Sequence, residues 1–165
     1  NPYSTFFYYE MIMLFPDSIP WALDHIEAIE GRSMDVIAWH ANSRAKVNYA
    51  EAETYYLEAL SLNPSYTPIL KAYADATYAT GDCEKAVGVF EDLLEVAPPY
   101  WKWKDDFETR TPMQQKSYRI FYKNVPDFKW VFGRLRKCYT KLENEEKAFY
   151  YSQYEEPFKG LNIQY

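Results

Sequence analysis

The stretches "EAETYYLEALSLNP" (Glu51–Pro64) and "EKAVGVFEDLLEVAP" (Glu84–Pro98) decide how this chain reads, because the second repeats the pattern of the first. Their closing prolines, Pro64 and Pro98, stand 34 residues apart. Ala52, Tyr56 and Ala59 precede Pro64 by 12, 8 and 5 positions, and Ala86, Phe90 and Leu93 precede Pro98 by the same intervals. Upstream, Val36, Trp39 and His40 align with Leu70, Tyr73 and Ala74, and "GDCEKA" aligns with "NYAEA".

Apolar residues recurring at three- and four-residue intervals form one face of a helix. Each unit therefore reads as two antiparallel helices. Ala52, Ala59, Ala74 and Ala86 allow close approach, and Trp39, Tyr56, Tyr73 and Phe90 fill the space between units. Gly81-Asp82 supplies a turn, since glycine tolerates positive φ. Each proline disfavours helical geometry in the residue before it and so ends the second helix.

This pattern resembles the tetratricopeptide repeat, a 34-residue helix-turn-helix unit. Residues 67–98 carry the resemblance best, through Leu70, Tyr73, Ala74, Gly81, Ala86, Phe90, Leu93 and Pro98. Residues 33–64 follow it with Val47 at the usual glycine position and Ser43 at an aromatic one. The register then continues: Tyr118 and Phe121 precede Pro126 by 8 and 5 positions, with Thr111-Pro112 opening that helix. Pro98 to Pro126 is only 28 residues, so a shortened or irregular first helix is expected around "YWKWKDDFE". Phe132, Leu135, Tyr139 and Ala148 fall in phase again, while Ser152, Glu155 and Gly160 replace the aromatic, small and proline positions, as in a polar capping unit.

The sequence thus predicts an all-α fold, a right-handed superhelix of antiparallel helix-turn-helix repeats in a single domain over 1–165. Its parts are a degenerate N-terminal helical pair (1–32), repeats at 33–66 and 67–100, a shortened repeat (101–126) and a capping repeat (127–160). The resemblance implies a concave groove lined by the first helices. The register places Ile37, Ala41 and Arg44, then Lys71, Asp75 and Tyr78, then Gly133, Lys137 and Thr140 on that lining, with Lys141 adjacent. It also provides a negative test. The carboxylate clamp of tetratricopeptide co-chaperones needs a Lys and an Asn four residues apart in the first unit, where this chain has Ile37 and Ala41, and Asp75 follows Lys71. Capture of an acidic chaperone tail is disfavoured.

Composition narrows the remaining classes. The net charge of −6 divides unevenly, −10 over residues 1–98 and +4 over residues 99–165. An acidic chain is a poor nucleic-acid binder, because phosphates demand net cationic contact. Five glycines form neither a dinucleotide nor a P-loop pattern, and no G-x-S-x-G occurs, so no cofactor is expected. His25 has no second imidazole at metal spacing, and His40 falls where the repeat packs a small residue, which favours a structural role. No catalytic residue and no metal ligand is expected. Cys83 and Cys138 form no C-x-x-C pattern and read as small buried apolar residues rather than a disulfide framework.

"FFYYEMIMLF" (Phe6–Phe15) is too short to span a bilayer and lacks a preceding cationic segment, so neither a membrane span nor a signal peptide is expected. That favours the cytoplasm, and the apolar run offers a route to an oligomer. The absence of an initiating Met suggests an excerpt or a processed product. Trp101 and Trp103 in "YWKWK" either present a contact surface or fill the gap left by the shortened helix. The leading functional expectation is a non-catalytic protein–protein interaction scaffold with a peptide or protein partner. The alternative is an accessory region of a larger enzyme such as a glycosyltransferase.

Overall fold

In the computed structural model, which describes residues 7–8, 10–11, 19–124 and 128–161, the helices run in the order the periodicity predicts. They are α1 (Ile19–Glu30), α2 (Met34–Arg44), α3 (Tyr49–Leu62), α4 (Thr67–Thr80), α5 (Cys83–Val96), α6 (Pro112–Asn124), α7 (Phe128–Lys141) and α8 (Glu145–Ser152). The fold is all-α, with no strand among the described residues. Most of Phe6–Phe15 and the closing Pro126 lie outside those residues. The chain divides into two compact units, Asn1–Ala76 and Thr77–Tyr165, where the sequence predicts one array.

The repeated positions are buried in both copies. Ala52, Tyr56 and Ala59 of α3, and Ala86, Phe90 and Leu93 of α5, are all core residues. Fully burying a large apolar side chain stabilises by about 1.5–3 kcal/mol. The helix starts repeat as well. Asn48 accepts a hydrogen bond from the Glu51 N–H at 3.3 Å, Asp82 from Lys85 at 3.0 Å, and Asn144 from Lys147 at 3.0 Å. Each such cap contributes about 1 kcal/mol. The residue before the cap differs. Gly81 takes a left-handed φ of 85°, and Glu143 occupies the matching place before Asn144 with φ 56°. A β-carbon makes that conformation costly.

In the first unit α2 packs against both α1 and α3. Tyr8, Ala22, Leu23, Ile26 and Val36 form one apolar cluster. Trp39, expected as packing between units, is half-exposed. In the second unit α7 packs on α5 and α8, and α6 on a 3-10 helix at Pro99–Lys104. That helix and a second at Phe107–Thr109 stand where a shortened first helix is expected. Rings dominate this core. Trp101 lies 5.3 Å from Phe132 and 5.0 Å from Tyr154, and Phe107 lies 5.4 Å from Tyr118. Two of the hydroxyls are partnered: Tyr118 donates to the Pro157 carbonyl at 2.6 Å, and Tyr154 to the Asp105 carboxylate at 2.9 Å, whereas the buried Trp101 indole N–H has no hydrogen-bond partner among the described residues.

Cys83 and Cys138 are joined in a disulfide, with their Cα atoms 5.0 Å apart. This corrects the reading of two independent buried thiols. Two cysteines separated by 55 residues carry no spacing signal, and only the packing of α5 on α7 brings them together.

Candidate functional site

The second unit contains the site, and the pattern of α7 creates it. Phe128, Val131, Phe132, Leu135, Cys138 and Tyr139 fall on one face and are buried. Helical periodicity then forces Lys129, Trp130, Gly133, Arg134, Arg136, Lys137, Thr140 and Lys141 onto the remaining arc. That helix carries five Lys/Arg and no acid.

Two adjoining clefts open along this arc. One, of about 550 Å³, is lined by Tyr78, Ala79, Thr80, Gly81, Cys83, Arg136, Lys137, Thr140 and Lys141. The other, of about 530 Å³, is lined by Tyr78, Lys129, Trp130, Gly133, Arg134, Arg136, Lys137 and Glu155. Tyr78, Arg136 and Lys137 belong to both. The Arg134 guanidinium sits 5.6 Å from the centre of the Tyr78 ring. Arg136 pairs with the Glu155 carboxylate. Among the described residues, Lys129, Lys137 and Lys141 have no carboxylate partner. Trp130 is 65% exposed. The result is a cationic surface with an exposed indole and a tyrosine ring, suited to anionic groups and a flat or apolar anchor.

A polar cluster holds the helices beneath it. The Tyr139 hydroxyl, the Lys147 ammonium and the Tyr151 hydroxyl all donate to one oxygen of Glu91, at 2.6, 2.9 and 3.0 Å. Burial alone would raise the Glu91 carboxyl, but these hydrogen bonds outweigh it and hold the group below its ordinary value. Burial and the bond to Glu91 push the Tyr139 phenol up.

The first unit uses its charges internally. Arg32 grips Glu58 through two bonds of 2.5 Å and Glu27 through one of 2.6 Å. His40, 1% exposed, accepts at Nδ1 from the Arg44 guanidinium at 2.8 Å, which leaves the proton of the neutral ring on Nε2. Nε2 lies 3.0 Å from Glu27, poorly aligned for a hydrogen bond. Burial, then the Arg44 charge, lower the His40 pKa. The ring stacks on Tyr55 at 5.1 Å. His40 is a packed side chain with no open face for a substrate.

The residues expected on a groove separate into distinct groups. Tyr78, Lys137 and Lys141, with Gly133 and Thr140, come together in the clefts. Lys71 and Asp75 form an ion pair at 3.3 Å in the first unit. Arg44 bonds Glu51 at 2.5 Å, bracing α2 to α3. Three expectations need correction. Ile37 and Ala41 are 1% and 0% exposed because α2 is packed by α1 and by α3, so they are core residues and not lining ones. Trp101, 3% exposed, fills the core under the 3-10 helix and offers no contact surface. Trp103 is half-buried, 4.8 Å from Tyr100, with the Arg110 guanidinium 4.7 Å above its ring.

Lys129, Trp130, Arg134, Arg136 and Glu155 are lining residues that the repeat register did not select. For Lys129, Arg134 and Arg136 the signal was the cation-rich, acid-free composition of 128–141, and Glu155 had none. Among the described residues no cluster of His, Cys, Asp or Glu could hold a metal, and no helix is long and apolar enough to cross a membrane. The His25 Nδ1 donates to the Trp21 carbonyl at 2.8 Å. No family model matches this chain, and no curated protein matches it either.

Proposed function

We propose that this chain is a non-catalytic interaction module of the tetratricopeptide kind, and that the exposed arc of α7 with Tyr78 binds an acidic segment of a partner protein. The observation that carries this reading is that Lys129, Lys137 and Lys141 of α7 have no carboxylate partner among the described residues and stand on the same helix as the exposed Trp130. Opposite charge brings the segment in and fixes its orientation, and an aromatic or aliphatic residue of that segment packs on Trp130 or Tyr78. The repeat register supports a helical scaffold, and the packed state of His40 supports a binding role over a catalytic one. The Cys83–Cys138 bond favours an oxidising compartment over the cytoplasm expected from the sequence, because disulfides persist where thiols are not continually reduced.

The test is a titration read by Trp fluorescence, using a short Asp/Glu-rich peptide with a central Phe. Binding that weakens as salt rises, and is lost in Trp130→Ala, is the expected result. Equal binding of a Lys/Arg-rich peptide with the same Phe would overturn the reading.

A further inference from the structure

The disulfide is not merely a brace, because one of its two sulfurs belongs to a residue on the wall of the cationic cleft. Cys83 lines that cleft together with Arg136, Lys137, Thr140 and Lys141 and is 8% exposed, whereas Cys138 is 0% exposed. We propose that Cys83 is a thiol-exchange site, entered from the cleft, for small anionic thiols.

Two observations converge on it. The bond is asymmetric in placement, since Cys83 lines the cleft and the fully buried Cys138 does not. The approach is lined by cations. Lys137 and Lys141 have no carboxylate partner among the described residues, and Arg136 stands beside them. The acidic neighbours in sequence do not offset this. Asp82 and Glu84 are not among the cleft-lining residues, and the Asp82 carboxylate caps the Lys85 N–H at 3.0 Å.

The step balances without any further oxidant or reductant. The thiolate of the incoming molecule attacks the Cys83 Sγ, a new sulfur–sulfur bond forms there, and the Cys83–Cys138 bond breaks. The electron pair leaves on the Cys138 Sγ, which then takes a proton from solvent. A buried thiolate is a poor leaving group, so the exchange is slow. Placement selects Cys83 despite that, and the charge of the attacking thiol sets the relative rate.

The experiment uses the intact, oxidised chain and three small thiols: 2-mercaptoethanesulfonate, 2-mercaptoethanol and cysteamine. Each is supplied at the same thiolate concentration and low ionic strength. Intact mass gives the initial rate of adduct formation, and peptide mapping after acid quench gives its site. The expected result is an adduct on Cys83, formed fastest with the sulfonate and slowest with the amine, with a spread on the order of tenfold that collapses in high salt. Lys137→Gln with Lys141→Gln should compress the same spread, slowing the sulfonate most, mercaptoethanol less and cysteamine least, because their attacking thiolates carry net charges of about −2, −1 and 0. An adduct on Cys138, equal rates for the three thiols, or a disulfide inert to all of them would overturn the proposal.

Discussion

The cations Arg32, Arg44 and Lys71 of the first unit and those of α7 in the second differ in their partners. In the first, Arg32 is closed on Glu27 and Glu58, Arg44 on Glu51, and Lys71 on Asp75. In the second, α7 carries five cations, and Glu155 is the one carboxylate lining its two clefts. A lysine at a groove position therefore says little until its partners are known. An internally paired cation costs a ligand the existing bond before it offers a new one. That is why Arg44 and Lys71 are weaker contact candidates than Lys137 and Lys141, although the repeat register treats them alike.

The largest expected effect separates core from contact surface in the second unit. Trp101→Ala should cost about 3–5 kcal/mol, because it empties a packed aromatic site. The denaturation midpoint measures this. A midpoint near wild type combined with lost peptide binding would return Trp101 to the surface and break the comparison.

The disulfide comes next. In the chain-entropy account, closing a 55-residue loop contributes about 4 kcal/mol. Cys83→Ser with Cys138→Ser should lower stability by that order, and reductant should then have no further effect. Amides of α5 and α7 should lose hydrogen-exchange protection more than those of α2 and α3.

Acid should divide the units by pH window. The His40 pKa is lowered from 6.5 in the fold, so below about pH 6.5 the unfolded chain takes up a proton that the folded first unit resists. Stability there falls as pH drops from that value toward the lower folded one. Glu91 is lowered from 4.5, so its contribution is complete above about pH 4.5 and is lost as pH falls through its folded value. Protection of α2–α3 amides, corrected for intrinsic exchange, should therefore decline before that of α5–α7 amides. His40→Gln should remove the earlier decline. A simultaneous loss in both units would contradict this division.

What the sequence showed, and what it hid, follows from the same contrast. Ala52, Tyr56 and Ala59, with Ala86, Phe90 and Leu93, were legible because a repeated spacing reports burial on one helix face. The turn at Gly81-Asp82 was legible from its residue types, whereas the caps at Asn48 and Asn144 were not read from the sequence. Ile37 was misplaced because the register describes a bare hairpin, and α1 adds a second covering to α2. Arg134 and Arg136 fall between the groove positions of the register, so only the charge composition of α7 pointed to them. The Glu155 pairing and the Cys83–Cys138 bond join residues distant in sequence, and no local pattern encodes such contacts.

The smallest expected effect concerns the turns. Gly81→Ala should destabilise by about 1 kcal/mol, since alanine resists a φ of 85°. Glu143→Gly should stabilise by only about 0.5 kcal/mol, because relief of the left-handed strain is offset by the freedom that glycine adds to the unfolded chain. Thermal midpoints measure both.

The central claim is that the unpaired cations of the second unit, and not the paired ones of the first, bind an acidic partner segment. Matched charge reversals test it most directly: Lys71→Glu and Lys137→Glu, each titrated with the same acidic Phe peptide by calorimetry. Lys137→Glu should weaken binding about tenfold and flatten its salt dependence, with Lys71→Glu close to wild type. Loss of affinity in Lys71→Glu with none in Lys137→Glu would contradict the account.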